Sequence, residues 1–224
     1  MAAANTDGEL YICLRRMFVC SAEVAHSIAR HATDRRYPVK SVIVKQGDRT
    51  VATFLLLAGR AQALTYGFEG QFALLNEYQP GDVFGVAAEE TAAEEADVVA
   101  VEEVRAAAFP ASDFIALLET HGCVAILVSR ALLRQLRAVS RRVTERMTLS
   151  AAGRVHAELL RLARLADGRA IAPAPVLSAL AVRVHTTRET VSRTISTLER
   201  RGIIRREGGA LVIVAPHRLE EMVV

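Results

Sequence analysis

Residues 186–204 read Thr186-Thr187-Arg188-Glu189-Thr190-Val191-Ser192-Arg193-Thr194-Ile195-Ser196-Thr197-Leu198-Glu199-Arg200-Arg201-Gly202-Ile203-Ile204, and the pattern is that of one short amphipathic helix. Thr186 and Glu189 have the Thr-x-x-Glu spacing of a capping box, and Gly202 supplies the stop. At about 100° per residue, Val191, Thr194, Ile195 and Leu198 share one face. Arg188, Glu189, Ser192 and Arg193 fall on the other, so long polar side chains project from a helix anchored behind. Such a helix suits a DNA major groove. Arg donates two hydrogen bonds to O6 and N7 of guanine, and Glu accepts one from N4 of cytosine. Standing alone, the segment reads equally well as a surface helix with solvated charges.

Its neighbours decide between the two. Val176 to Val182 (VLSALAV) is a second short apolar helix, joined to the first through Arg183-Val184-His185. Two helices with a tight turn make a helix-turn-helix. Ile203-Ile204-Arg205-Arg206, then Glu207-Gly208-Gly209, then Ala210-Leu211-Val212-Ile213-Val214 is strand, glycine turn, strand, the pattern of a hairpin wing.

The segment LAVRVHTTRETVSR, followed by LERRGII and the Gly-Gly hairpin, resembles the DNA-binding end of the cyclic-AMP receptor protein/FNR (CRP/FNR) superfamily of bacterial transcription regulators. That family usually has a glycine in the turn where this chain has His185, and histidine tolerates a left-handed conformation at some cost. The resemblance implies that Arg188, Glu189 and Arg193, with Ser192 beside them, read bases in a half-site rich in the TGTGA pattern. Chemistry alone specifies two guanines and a cytosine. Thr186, Thr187, Arg200, Arg201, Arg205 and Arg206 are expected at phosphates. Double-stranded DNA is the expected partner.

Charge divides the chain in the same sense. Arg130 to Val224 holds 18 Lys+Arg and 8 Asp+Glu, a net of +10, whereas residues 1–129 hold 10 and 17, a net of −7. One end is built to meet a polyanion and the other is not. Hydrophobic residues are 51% and charged residues 24%, a globular balance in a chain of 224 residues, long enough for two modest cores. No apolar run approaches the roughly 20 residues of a membrane span, and MAAANTDGEL lacks the pattern of a secretion signal. No membrane is therefore expected and the location is read as cytoplasmic. Three widely spaced cysteines agree with a reducing compartment.

In the N-terminal half, residues 1–8 read as a loose tail, and Glu9 to Ala32 carries apolar residues at helical spacing with Ser21 as an N-cap. Val42–Val44, Phe54–Leu57, Ala61–Leu64 and Phe72–Leu75 are short β-prone runs. They are separated by glycine-marked turns at 46–48, 58–59, 67–70 and 79–82, a pattern of an antiparallel sandwich or barrel. The strings YPVKSVIVKQGD, FLLLAGRAQ and LNEYQPGDVFG resemble the cyclic-nucleotide-binding β-roll of the same superfamily. In its nucleotide-binding members, a Glu after the position of Gly85 takes the ribose and an Arg-Ser pair takes the cyclic phosphate. Here Val86 follows Gly85, and the place of the pair falls, with about two residues of shortening, near Glu94-Glu95. Glu89, Glu90, Glu94, Glu95, Asp97, Glu102 and Glu103 put seven carboxylates in fifteen residues with no Lys or Arg among them. Carboxylates repel a phosphate. The pocket is expected to be degenerate and to bind no cyclic nucleotide, the acidic run being a solvated loop rather than a cation site.

From Phe114 the pattern turns helical for about 30 residues. Val128, Leu132, Leu136, Val139, Val143 and Met147 recur at spacings of four, four, three, four and four, with arginines beside the stripe. A helix of this length suits a parallel dimer seam, and its first half would also pack on the β domain. In the family this is the dimerisation helix, which implies a homodimer presenting two recognition helices about 34 Å apart to a palindrome. The expected fold is α+β, with an N-terminal β-roll (jelly-roll) in 1–113, a dimerisation helix in 114–147 and a winged helix-turn-helix in 148–224. RNA polymerase is a further expected partner. No Gly-Lys-Ser/Thr loop, His-Glu-x-x-His or Gly-x-Ser-x-Gly is present, so no enzyme activity is expected. Cys13, Cys20 and Cys123 are one thiolate short of an iron–sulfur cluster unless a histidine serves, and are read as buried small hydrophobes. No metal or cofactor is expected. A redox- or haem-responsive regulator and a non-DNA ligand- or protein-interaction module remain as alternatives.

Overall fold

A computed structural model of the chain describes residues 3–49, 52–66, 72–85, 93–166 and 168–223. Its contacts form two units, 1–139 and 140–224.

The first unit opens with helices α1 (Ala3–Phe18) and α2 (Ala22–Arg30), so the tail expected at residues 1–8 is helical from Ala3. Ala3 and Ala4 favour that state and no breaker follows them before Gly8. The two helices part at Val19, whose backbone is left-handed at φ 50°, and Ser21 caps α2 by accepting from the Val24 amide at 3.3 Å. Among the described residues eight strands follow: β1 (Thr33–Tyr37), β2 (Val42–Val44), β3 (Ala52–Ala58), β4 (Ala61–Tyr66), β5 (Phe72–Tyr78), β6 (Val83–Gly85), β7 (Asp97–Ala100) and β8 (Val104–Pro110). They make two antiparallel sheets of order β1-β8-β3-β6 and β2-β7-β4-β5. The expected turn at 67–70 lies outside the described residues.

Strands β3 and β8 explain how this unit is layered. Phe54 and Leu56 of β3, with Ala106 and Ala108 of β8, face the core between the sheets. Leu55 and Leu57, with Ala107 and Phe109, face a second core shared with the helices, including Leu14, Ile28, Phe114 and Val124. A strand covered on both faces reads as an unbroken apolar run, which is how FLLL appears.

The helical stretch from Phe114 is two elements, α3 (Ala111–Thr120) and α4 (Gly122–Thr148), at 110° to one another. His121, extended at φ −124° and ψ 99°, interrupts the helix, and this corrects the reading of one continuous helix. No single helix among the described residues is long and apolar enough to cross a membrane.

In the second unit α5 (Ala151–Leu165) is capped by Ser150, which accepts from the Gly153 amide at 3.0 Å. Then come β9 (Ala170–Ile171), α6 (Leu177–Arg183), α7 (Arg188–Arg200), β10 (Ile204–Glu207), β11 (Ala210–Ile213) and α8 (Pro216–Glu220). The wing is a three-stranded sheet, β10-β11-β9, whose hairpin turns through Gly208 and Gly209 at φ 56° and 82°. Sequence reading misses β9, a two-residue strand between a helix end and a proline-rich connector. Val155, Leu159, Leu180, Val191, Ile195, Leu198, Ile203 and Leu211 fill one core.

Candidate nucleic-acid interface

Helix α7 is amphipathic in the way its sequence says. Val191, Thr194, Ile195 and Leu198 are buried, and the Thr194 hydroxyl is satisfied by donating to the Thr190 carbonyl at 2.8 Å. Arg188, Glu189 and Arg193 are exposed and Ser192 is half-buried. The N-cap is Thr187, which accepts from the Thr190 amide at 3.2 Å. The expected cap at Thr186 is thus displaced by one residue, and Glu189 occupies the second helical position instead of the third. Its carboxylate is held below the usual range by its own backbone amide first and then by the Thr187 hydroxyl, with smaller help from Arg188 and Arg193. Glu189 stays ionised and exposed, which is the state that accepts from cytosine.

The expected phosphate contacts ring this helix. Arg200 donates to the Thr197 hydroxyl, Arg205 pairs with Glu207 at 2.8 Å and Arg206 with Glu199 at 2.8 Å. Pairs this exposed are worth little and yield readily to a phosphate. Arg201 is the exposed C-cap of α7 and Thr186 is half-buried in the turn.

Helix α6 ends at Arg183, and His185 carries the backbone through φ 51°, the left-handed turn that its place in the sequence requires. Behind the turn, Arg154 of α5 donates to the carbonyls of Val184, His185 and Leu149 at 2.9, 3.2 and 3.0 Å. One helical turn on, Glu158 accepts from Arg161 and Arg183. Sequence reading passes over both residues; the signal was a Glu placed among the apolar Val155, Leu159 and Leu162 with an Arg three residues on.

In the first unit, Gly85 ends β6 at φ 88°, and a β-carbon there would lie 2.5 Å from the Ala52 carbonyl oxygen. Val86, Glu89 and Glu90 lie outside the described residues. Glu94 is tied by its backbone to the turn before β3, through Gly47 N to Glu94 O and Glu94 N to Asp48 O, both 2.9 Å, while Glu95 is exposed. The acidic run is not one solvated loop: Asp97 opens β7, whose Val98 and Ala100 are buried, and accepts from the Gln46 amide at 2.7 Å. Glu102 pairs with Arg60.

Cys13, Cys20 and Cys123 are free, half-buried and packed against the helical core. Burial raises Cys13 and Cys20 towards the protonated thiol, and Cys123 adds to the effect on Cys20. Among the described residues no three His, Cys, Asp or Glu side chains converge as a metal site.

On α4, Leu132, Leu136, Val139 and Val143 are 40–60% exposed and Met147 more so. Val128 differs, being half-buried against its own unit.

The model of the cyclic nucleotide-binding domain matches residues 34–121, and that of the Crp-like helix-turn-helix domain matches 153–222. The cyclic AMP receptor protein of Thermus thermophilus is 30% identical over 193 residues, covering 84% of this chain and 87% of that one. The chain belongs to the CRP/FNR superfamily. Among solved structures, a CRP/FNR-family transcriptional regulator, also of Thermus thermophilus, matches with a TM-score of 0.69 at 24% identity, over 85% of this chain and 98% of that one. The c-di-GMP-responsive regulator CLP of Xanthomonas campestris matches with a TM-score of 0.74 at 17% identity, over 86% and 99%. At such identities these two establish the fold. As a CRP/FNR-type protein the chain is a transcription regulator with a helix-turn-helix DNA-binding domain, and not an enzyme.

Proposed function

We propose that this regulator acts as a cytoplasmic homodimer that reads a palindromic DNA site with α7 and does so without a cyclic nucleotide. The observation that carries the reading is the presentation of Arg188, Glu189 and Arg193 on the exposed face of a helix whose other face is locked in a core. Arg188 and Arg193 take guanines and Glu189 a cytosine, with Ser192 beside them. Thr186, Thr187, Arg200, Arg201, Arg205 and Arg206 fix the register on phosphates. Two copies pair along the exposed stripe of α4, which sets the recognition helices about one turn of DNA apart. RNA polymerase is the partner through which occupancy changes transcription.

The effector differs from that of the relatives whose names specify cyclic AMP. The resemblance puts the phosphate-binding Arg-Ser pair near Glu94-Glu95, and residues 89–103 hold no cation to replace it. With three cysteines, the chain is one thiolate short of the four that an all-cysteine iron–sulfur cluster takes. Selecting bound sequences from random DNA, with and without cyclic AMP and cyclic GMP, tests both halves. The same palindrome with and without nucleotide supports the proposal; enrichment only with a nucleotide ends its effector half, and no enrichment under any condition ends the reading of α7.

A further inference from the structure

Polar groups add direction to the apolar packing that holds α7. The apolar contacts of α7 with α5 and α6 resist separation of the helices, but hydrophobic attraction is non-directional. Two such polar groups sit one helical turn apart on α5.

Arg154 donates from Nε to the Val184 carbonyl, from Nη2 to the His185 carbonyl and from Nη1 to the Leu149 carbonyl, at 2.9, 3.2 and 3.0 Å. Val184 and His185 are the two residues after α6, where helix-end carbonyls have no intrahelical donor. A planar guanidinium supplies several donors in a fixed geometry, which a flexible ammonium does not. Glu158, 9% exposed, holds the preceding residue, accepting from Arg183 Nη1 at 3.2 Å. Three consecutive residues, 183–185, are therefore fastened to α5 by side chains. Leu149, the third acceptor, lies between the end of α4 and Ser150, the cap of α5. One half-buried side chain thus joins the α4–α5 corner to the turn that aims α7.

We infer that Arg154 is a positioning residue for base recognition: it sets the angle of α7 through the Val184–His185 carbonyls and ties that angle to the corner at Leu149. The inference rests on the reading of α7 as the base-reading helix. With three of its nitrogens committed to carbonyls, Arg154 does not act as a phosphate contact. Any displacement of the α4–α5 corner pulls on the same guanidinium, so the link is also a route by which α4 alters recognition.

The test uses the full-length chain and the duplex that the wild type selects, with a scrambled duplex beside it. Arg154→Gln should reduce the preference for the selected duplex at least tenfold while leaving scrambled-duplex affinity and the salt dependence of binding unchanged. Arg154→Lys, whose single nitrogen reaches one carbonyl at a time, should fall between the two. Should the Gln variant fail to fold, the Lys variant carries the test alone. A wild-type preference ratio in a folded variant, whatever its melting temperature, would reduce Arg154 to a structural brace and overturn the inference. Equal loss on both duplexes, with a shallower salt dependence, would make it a phosphate contact and overturn it too. A wild type that shows no preference at all would sink the reading of α7 itself, and is recognisable because it precedes any substitution.

Discussion

His185 holds a β-carbon in the left-handed region at φ 51°, at a cost of about 1–2 kcal/mol relative to glycine. His185→Gly is therefore expected to raise stability by about 1 kcal/mol in chemical denaturation, less what the freer unfolded chain takes back. The imidazole also titrates in an unfavourable place: burial first, then Arg146, Arg142 and Arg154, lower its pKa from 6.5. The unfolded state then binds the proton more readily, so this contribution to stability is complete above about pH 6.5 and is lost as pH falls below it. The melting temperature should drop between pH 7.5 and 5.5, and His185→Gly should flatten that drop. An equal fall in both proteins would clear His185 of the effect. On the proposed reading of α7, Arg193→Ala should cost about 1–3 kcal/mol on the selected site and relax one base position, read by competition with single-base variants. The exposed face of α7 was legible because four buried positions, Val191, Thr194, Ile195 and Leu198, fix the phase of the helix. The cap was legible only to within one residue, since Thr186 and Thr187 are adjacent and either can start the motif. Arg154 and Glu158 were hidden because the Val184 and His185 carbonyls and Arg183 reach them only in the fold, Arg161 on the same helix being the one local signal.

Elements show the same division between local and distant causes. Thr187→Ala removes the acceptor for the Thr190 amide and should cost about 1 kcal/mol of stability, seen as a lower denaturant midpoint. Gly85→Ala forces a β-carbon to 2.5 Å from the Ala52 carbonyl oxygen at φ 88°, and should destabilise the first unit by about 2–4 kcal/mol. The runs that became β2, β3, β4 and β5 announce themselves by branched and aromatic residues between turns. Strand β1, TDRRY, does not: its charges are tolerated at a sheet edge because Asp34 takes a bidentate pair from Arg105 of β8. Strand β8 is rich in alanine, a weak strand former, and is held by β1 and β3 on its two sides. The break between α3 and α4 was hidden for a related reason, since apolar residues on both sides continue the helical period through His121.

At the scale of the molecule, the acidic first half, the basic second half and the apolar stripe of α4 are all visible in the sequence, and together they support the proposal that two copies pair to read DNA. Leu136→Lys puts a charge in the middle of that stripe and should turn the dimer into a monomer in sedimentation. Its affinity for the palindrome should fall far more than for a single half-site. On the proposed reading, the arginines of α7 recognise sequence. That reading is tested most directly by competition binding between the selected palindrome and the same duplex with scrambled half-sites, for the wild type and for Arg188→Ala/Arg193→Ala. The wild type should prefer the selected palindrome by at least about a thousandfold, a preference nearly abolished in the double variant. A preference that survives the loss of both arginines would contradict the reading.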